Sequence, residues 1–167
     1  MIKKITLVSG IFPPDIGGPA TFIPMLANFL TESNVEVNVI TLSDKKKSEI
    51  TKYKIETISR SIIWPIRFFI TVYKIYLSAK TSDLIFSNTL DFEASVASII
   101  SRKKHIQKIV GDIAWERANS SGRYNGSIDD YQTDQHCLIS RLTNIYRNFS
   151  LRRSHLIITP SKYLKED

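Results

Sequence analysis

Short runs of β-branched and apolar residues alternate along the chain with longer stretches of helical period, and that alternation predicts the architecture. Ile5-Thr6-Leu7-Val8-Ser9 reads as a buried strand, a loop with two adjacent glycines follows, and a helix is expected over 20–33. Residues 35–42 read as a second strand entered from the turn at Ser33-Asn34, so the chain opens with a βαβ unit. The polar connection Ser43-Asp44-Lys45-Lys46-Lys47 leads to a third strand over 53–58 and then to a long apolar helix. Pro65 suits its first turn, where a missing N–H costs nothing. Strands are expected over 83–87, 107–111 and 155–160, and helices over 91–102 and 138–153. The polar stretch 119–136, with Ser120-Ser121-Gly122 and Asn125-Gly126-Ser127, predicts a long loop or lid, a place where function concentrates. Strands and helices in this order give an α/β fold: a Rossmann-like parallel sheet with helices on both faces.

A length of 167 residues with 43% hydrophobic content supports one domain, 1–167, with a real core. A charged fraction of 23%, with six Gly and six Pro, excludes a disordered or low-complexity chain. The lone Cys137 cannot form an internal disulfide and is expected to pack in a helix, which fits a reducing compartment. The N-terminus has neither a long apolar core nor a small-residue cleavage site, so a cytoplasmic protein is expected. His105, His136 and His155 lack ligand spacing, and Asp129-Asp130 more simply complements a helix dipole, so no metal is expected.

The net charge of +7 and pI near 9.5 call for an anionic partner. Nucleic acid is disfavoured, because the aromatic residues sit in apolar helical segments instead of alternating with Lys and Arg. Residues 62–77 are apolar enough to raise a membrane, yet Pro65, Arg67 and Lys74 interrupt a span. Arg67, Thr71, Lys74 and Ser78 form a narrow polar stripe on this helix. Either the helix is buried in the core, or leftover apolar surface beside the basic residues 45–47, Lys52, Lys54 and Arg60 rests on an anionic leaflet at the inner membrane face.

Ligands of open parallel sheets bind at the carboxyl ends of the strands, where helix N-termini favour anions. The loop Ile11-Phe12-Pro13-Pro14-Asp15-Ile16-Gly17-Gly18-Pro19 falls at such an end. It has neither the G-x-G-x-x-G spacing of a dinucleotide site nor a P-loop. Adjacent glycines let a backbone approach a phosphate or sugar, although a tight turn before a helix would need them too.

The string FPPDIGGPATF after a first strand, followed by VEVNVITL, GDIAWERA, Asp130-Tyr131-Gln132 and IITPSKYLKED, resembles the N-terminal domain of family 4 (group 1) glycosyltransferases over essentially the whole chain. That resemblance implies one half of a GT-B fold: the acceptor-side domain of a retaining enzyme that moves a sugar from a nucleotide-sugar to a saccharide or lipid-linked acceptor. It implies no cofactor beyond the nucleotide-sugar co-substrate. It also implies a C-terminal, donor-binding domain with a Glu-x7-Glu motif that this sequence does not contain, so the chain is expected to be an incomplete portion, inactive alone.

On this resemblance Asp15, Gly17 and Gly18 would face the donor phosphate or the acceptor. The family's histidine near the later strand exit is replaced here by Gly111 and Asp112. Asp112 is then the nearest carboxylate to accept a hydrogen bond from an acceptor hydroxyl, or else a helix N-cap. Trp115 would stack on a sugar or anchor a core, and Glu116 with Arg117 would meet a phosphate or form a solvated pair. Two other readings stay open: another Rossmann-type nucleotide-binding enzyme, and a non-catalytic basic binding module.

Overall fold

The computed structural model of the protein describes residues 2–44, 51–133 and 138–160. Along them run β1 (Lys4–Ser9), α1 (Gly18–Glu32), β2 (Glu36–Leu42), β3 (Lys54–Ile58), α2 (Trp64–Lys80), β4 (Leu84–Ser87), α3 (Asp91–Ser101), β5 (Lys104–Lys108), α4 (Ile113–Ser120), α5 (Ile128–Thr133), α6 (Leu138–Arg153) and β6 (Leu156–Ile158). All strand pairs are parallel, in the order β3-β2-β1-β4-β5-β6. The expected Rossmann-like parallel sheet is therefore present, and right-handed crossovers put α1 on one face and α2, α3 and α6 on the other.

The two faces differ in chemistry. Beneath α1 the sheet is apolar: Ile5, Leu7, Val37, Val39, Ile55, Leu84 and Phe86 pack on Ile23 and Ala27. Strand side chains alternate between faces, so the other side carries Val8, Ile40, Ile58 and Ile85 against Val72, Ile75, Ala79, Ala94 and Ala97. That same side also carries Thr6, Asn38, Glu56, Ser87, His105 and Gln107. Adjacent in register, Thr6 and Asn38 lie beneath α2 and meet Ser78, whose Oγ is 2.7 Å from Thr6 Oγ1 and accepts from Asn38 Nδ2 at 2.7 Å. Lys74 Nζ reaches Glu56 at 3.3 Å.

These partners set the orientation of α2, which also packs Val72, Ile75 and Ala79 on the sheet. Its polar stripe is turned toward the sheet, with Thr71 and Ser78 buried, whereas Phe69, Tyr73 and Leu77 point outward. The helix is not wholly buried, and apolar surface is left over outside. A correction concerns β5, which starts three residues before the expected 107–111. Its polar residues pair with β4, and Ile109 and Val110 belong to the strand exit. Within the expected loop 119–136 the chain forms the short α5, started by Ser127, whose Oγ donates to Asp130 Oδ2 at 2.6 Å and accepts from Asp130 N at 3.2 Å. Tyr131 is buried against Ala114 and Ala118, with Tyr124 edge-on at 5.0 Å, so the Asp130-Tyr131 pair starts a helix and fills a small core. Lys45 to Lys47, His136, Cys137 and the segment after Pro160 lie outside the described residues.

Candidate functional site at the switch point

Strand order reverses between β1 and β4, which makes their carboxyl ends the crevice of the sheet. The two loops that leave these strands are tied together: Gly10 N donates to Thr89 Oγ1 at 2.6 Å, and Asn88 N to Val8 O at 3.0 Å. Thr89 and Leu90 hold φ of 103° and 57°, the left-handed region that β-branched and bulky residues avoid. Each such residue costs roughly 1–3 kcal/mol and persists only where surrounding contacts over-determine it. Leu90 is also the N-cap of α3, so the strain sits at the mouth of a helix N-terminus.

Across the crevice, the glycine loop is clamped by Arg60 from the β3–α2 connection. Its Nη2 donates to Gly10 O at 3.0 Å and Leu42 O at 2.8 Å, and it pairs with the Asp15 carboxylate. Asp15 is thus placed as the counter-charge of a buried-side arginine. Gly17 is the N-cap of α1 at φ 154°, and a Cβ there would meet Ile11 Cδ1 at 2.7 Å. Gly18 borders open space, with nothing within 4 Å of an added Cβ. Of the two glycines, the first is required by backbone conformation and the second leaves room.

Asp91, the first residue of α3, carries a marked electrostatic perturbation. It accepts from Ser87 Oγ, from Gln107 and from the Thr89 amide, yet burial, with Glu93 close by, pushes its carboxyl up to about 6. Glu93 is also raised by burial, opposed by its own amide and by Arg117 and Arg67. Behind Asp91 lies His105, fully buried, with Nε2 2.8 Å from Ser87 Oγ and Nδ1 3.3 Å from both Ser95 and Ser154 hydroxyls. Burial, helped by the charge of His155, lowers it to about 4 and keeps it neutral. Ser154 Oγ also donates to Gln107 Oε1 at 2.9 Å, which closes a polar network from the crevice to α6.

Among the residues expected from sequence, Arg117 is brought near Glu93, and Gly17 and Gly18 lie at the N-terminus of α1. Asp112 caps α4, accepting from Ala114 N at 2.8 Å and Trp115 N at 3.2 Å, and pairs with Arg147 of α6. Trp115 packs on the Tyr131 core and donates Nε1–H to Gly126 O at 3.1 Å. Glu116 is exposed and folds back over Gly111. Asp91, Glu93, Thr89 and Arg60 were missed by sequence reasoning. The signal for the first was available, because Ser87-Asn88-Thr89-Leu90-Asp91 is a polar strand exit like the one after β1. Among the described residues no group of three or more His, Cys, Asp or Glu could hold a metal, and no helix is long and apolar enough to cross a membrane.

A doubly wound parallel sheet whose strand order reverses between β1 and β4 defines a Rossmann-like domain. Among solved structures, the chain is similar to HepE of Anabaena in complex with UDP, at 17% identity and a TM-score of 0.59, covering 95% of this chain and 38% of that one. It is also similar to a Listeria monocytogenes protein assigned as a UDP-N-acetylglucosamine 2-epimerase, at 14% identity and a TM-score of 0.59, covering 98% and 40%. The chain therefore spans about two-fifths of the length of each, and the likeness establishes the fold. No protein-family model and no curated protein matches the sequence.

Proposed function

We propose that the chain is the acceptor-side half of a retaining GT-B glycosyltransferase that moves a sugar from a nucleotide-sugar to a saccharide or lipid-linked acceptor. Its donor-binding wall would come from a second, C-terminal domain. The observation that carries this reading is the meeting of the Gly10–Gly18 loop with the strained Thr89-Leu90 exit at the β1–β4 switch point. The association of one neighbour with UDP and the name of the other add support for a nucleotide-sugar ligand.

In this reading the amides after Gly17 stabilise the departing diphosphate while the acceptor hydroxyl attacks the anomeric carbon from the face the phosphate leaves. Asp91, at the N-terminus of α3 beside the strained Thr89-Leu90 exit, is in this reading the group that hydrogen-bonds that hydroxyl, and Asp112 serves as the cap of α4. Arg117 and Arg67 balance the negative charge of Glu93 at the rim.

Gly18 supplies the test, because a side chain there enters open space and leaves the fold alone, whereas one on Gly17 would strain the backbone. Binding of UDP-, GDP- and ADP-linked sugars and of oligosaccharides is read by saturation-transfer NMR. The unmodified chain is expected to bind at least one class at about millimolar strength, and Gly18→Trp about tenfold more weakly with an unchanged melting temperature. Equal binding by the variant would take this loop out of the site.

A further inference from the structure

The helical layer of α2, α3 and α6 buries polar side chains beside apolar ones and leaves a large apolar face outside. A helix on the surface of a globular domain turns its apolar stripe inward. In α2 the stripe Arg67, Thr71, Lys74 and Ser78 is engaged with the interior: Arg67 Nη1 donates to Arg60 O at 2.6 Å, Thr71 Oγ1 to Arg67 O at 2.7 Å, Lys74 pairs with Glu56, and Ser78 meets Thr6 and Asn38. Outward stand Ile63, Trp64, Ile66, Phe69, Tyr73 and Leu77, each between 45% and 70% exposed. On the same side of the sheet, α6 adds Leu142 at 52% and Ile145 at 60%. The two helices are bridged by rings, Phe68 to Phe92 at 5.5 Å and Phe92 to Tyr146 at 4.6 Å. An apolar surface of this extent marks an interaction site.

Charge decides the occupant. Neither α2 nor α6 contains an acidic residue. The two acids of α3 are drawn inward, Asp91 onto Ser87 and Glu93 under partial burial. Lys80, Arg141, Arg152 and Arg153 are exposed around the apolar surface. A second copy docked on this face would set cations against cations. An anionic bilayer surface accepts the aromatic stripe among its acyl chains and the cations among its phosphates.

We propose that α2 and α6 form a docking face for anionic phospholipid, with α2 lying in the plane of the interface. This face is separate from the switch-point crevice, and its test reads no sugar chemistry.

The chain is sedimented with vesicles of phosphatidylcholine, and with vesicles containing about 30% phosphatidylglycerol. Retention on the anionic vesicles is expected, with Phe69→Glu/Tyr73→Glu lowering partition by about tenfold or more. The charge-matched pair Met25→Glu/Phe29→Glu, at exposed positions of α1 on the opposite face, should retain most of the binding. In a Trp115→Phe background, Trp64 emission should shift to the blue when anionic vesicles are added; this second reading does not depend on the folding of the glutamate variants. Absence of vesicle binding would overturn the proposal, as would equal loss in both glutamate pairs. Concentration-dependent self-association abolished by Phe69→Glu/Tyr73→Glu would also overturn it and assign the face to a second copy.

Discussion

Asp91→Asn is expected to make the domain more stable at pH 7 and to leave its stability rising with pH between about 4 and 6.5. The Asp91 carboxyl ordinarily titrates at 3.8 and is pushed to about 6 in the folded chain, by burial first and by Glu93 next. Between these values the folded state binds more protons than the unfolded state, so stability falls as pH rises and levels off above about 6. A shift of this size corresponds to roughly 3 kcal/mol. The asparagine must find an acceptor for its new N–H groups, which reduces the expected gain to about 1–2 kcal/mol.

His105 acts with the opposite sign. Its unfolded value is 6.5 and its folded value about 4, so it stabilises the fold increasingly as pH rises through that interval. The two slopes oppose one another in the native protein, and Asp91→Asn exposes that of His105. Urea unfolding at pH 4.5, 5.5 and 7 measures both effects. A variant no more stable at pH 7, with the native slope retained, would show that Asp91 is not held in a costly ionised state. In a complete enzyme the proposed role of Asp91 adds a loss of transfer of about a hundredfold.

Arg147→Ala is expected to cost about 3 kcal/mol and to lower the melting temperature by about 10 °C. The arginine is the ionic partner of Asp112, and the two side chains are only 17% and 7% exposed. Removing it takes an ion-pair partner from a buried carboxylate, the more damaging way to break such a pair. It also loosens α6 from α4, the contact that holds the Tyr131 core at the edge of the sheet. Asp112→Asn keeps an oxygen for the cap and should cost less, and Asp112→Asn/Arg147→Met should recover part of the loss. Thermal unfolding followed by circular dichroism provides the comparison. A loss below about 1 kcal/mol for Arg147→Ala would mean that water replaces the guanidinium.

The legible parts of the fold were those fixed by local chemistry. β1, α1 and β2 followed from β-branched runs around a glycine loop, and the capping geometry of Asp112 followed from its place before IAWERA. What escaped depends on distant partners. β5 contains Lys104, His105, Gln107 and Lys108, and its burial is possible because Ser87, Ser95 and Ser154 satisfy His105 from three other places in the chain. The burial of Thr71 and Ser78 and the ion pair of Lys74 along α2 depend on Thr6, Asn38 and Glu56 lying beneath it, which periodicity within the helix cannot register. Asp15 was noticed for its position beside the glycines, but its role is set by Arg60, 45 residues away in sequence. Thr89 and Leu90 give no sign of positive φ, since neither is the glycine that usually marks it.

The central claim is that the β1–β4 crevice is one wall of a nucleotide-sugar site. Its most direct test is an amide-resolved NMR titration of the chain with UDP and with UDP-N-acetylglucosamine. Shifts are expected to concentrate at Gly10, Gly17, Gly18, Thr89 and Leu90, and to be larger for UDP-N-acetylglucosamine than for UDP. Shifts elsewhere with these five amides unmoved, or no shifts at all at millimolar ligand, would contradict it.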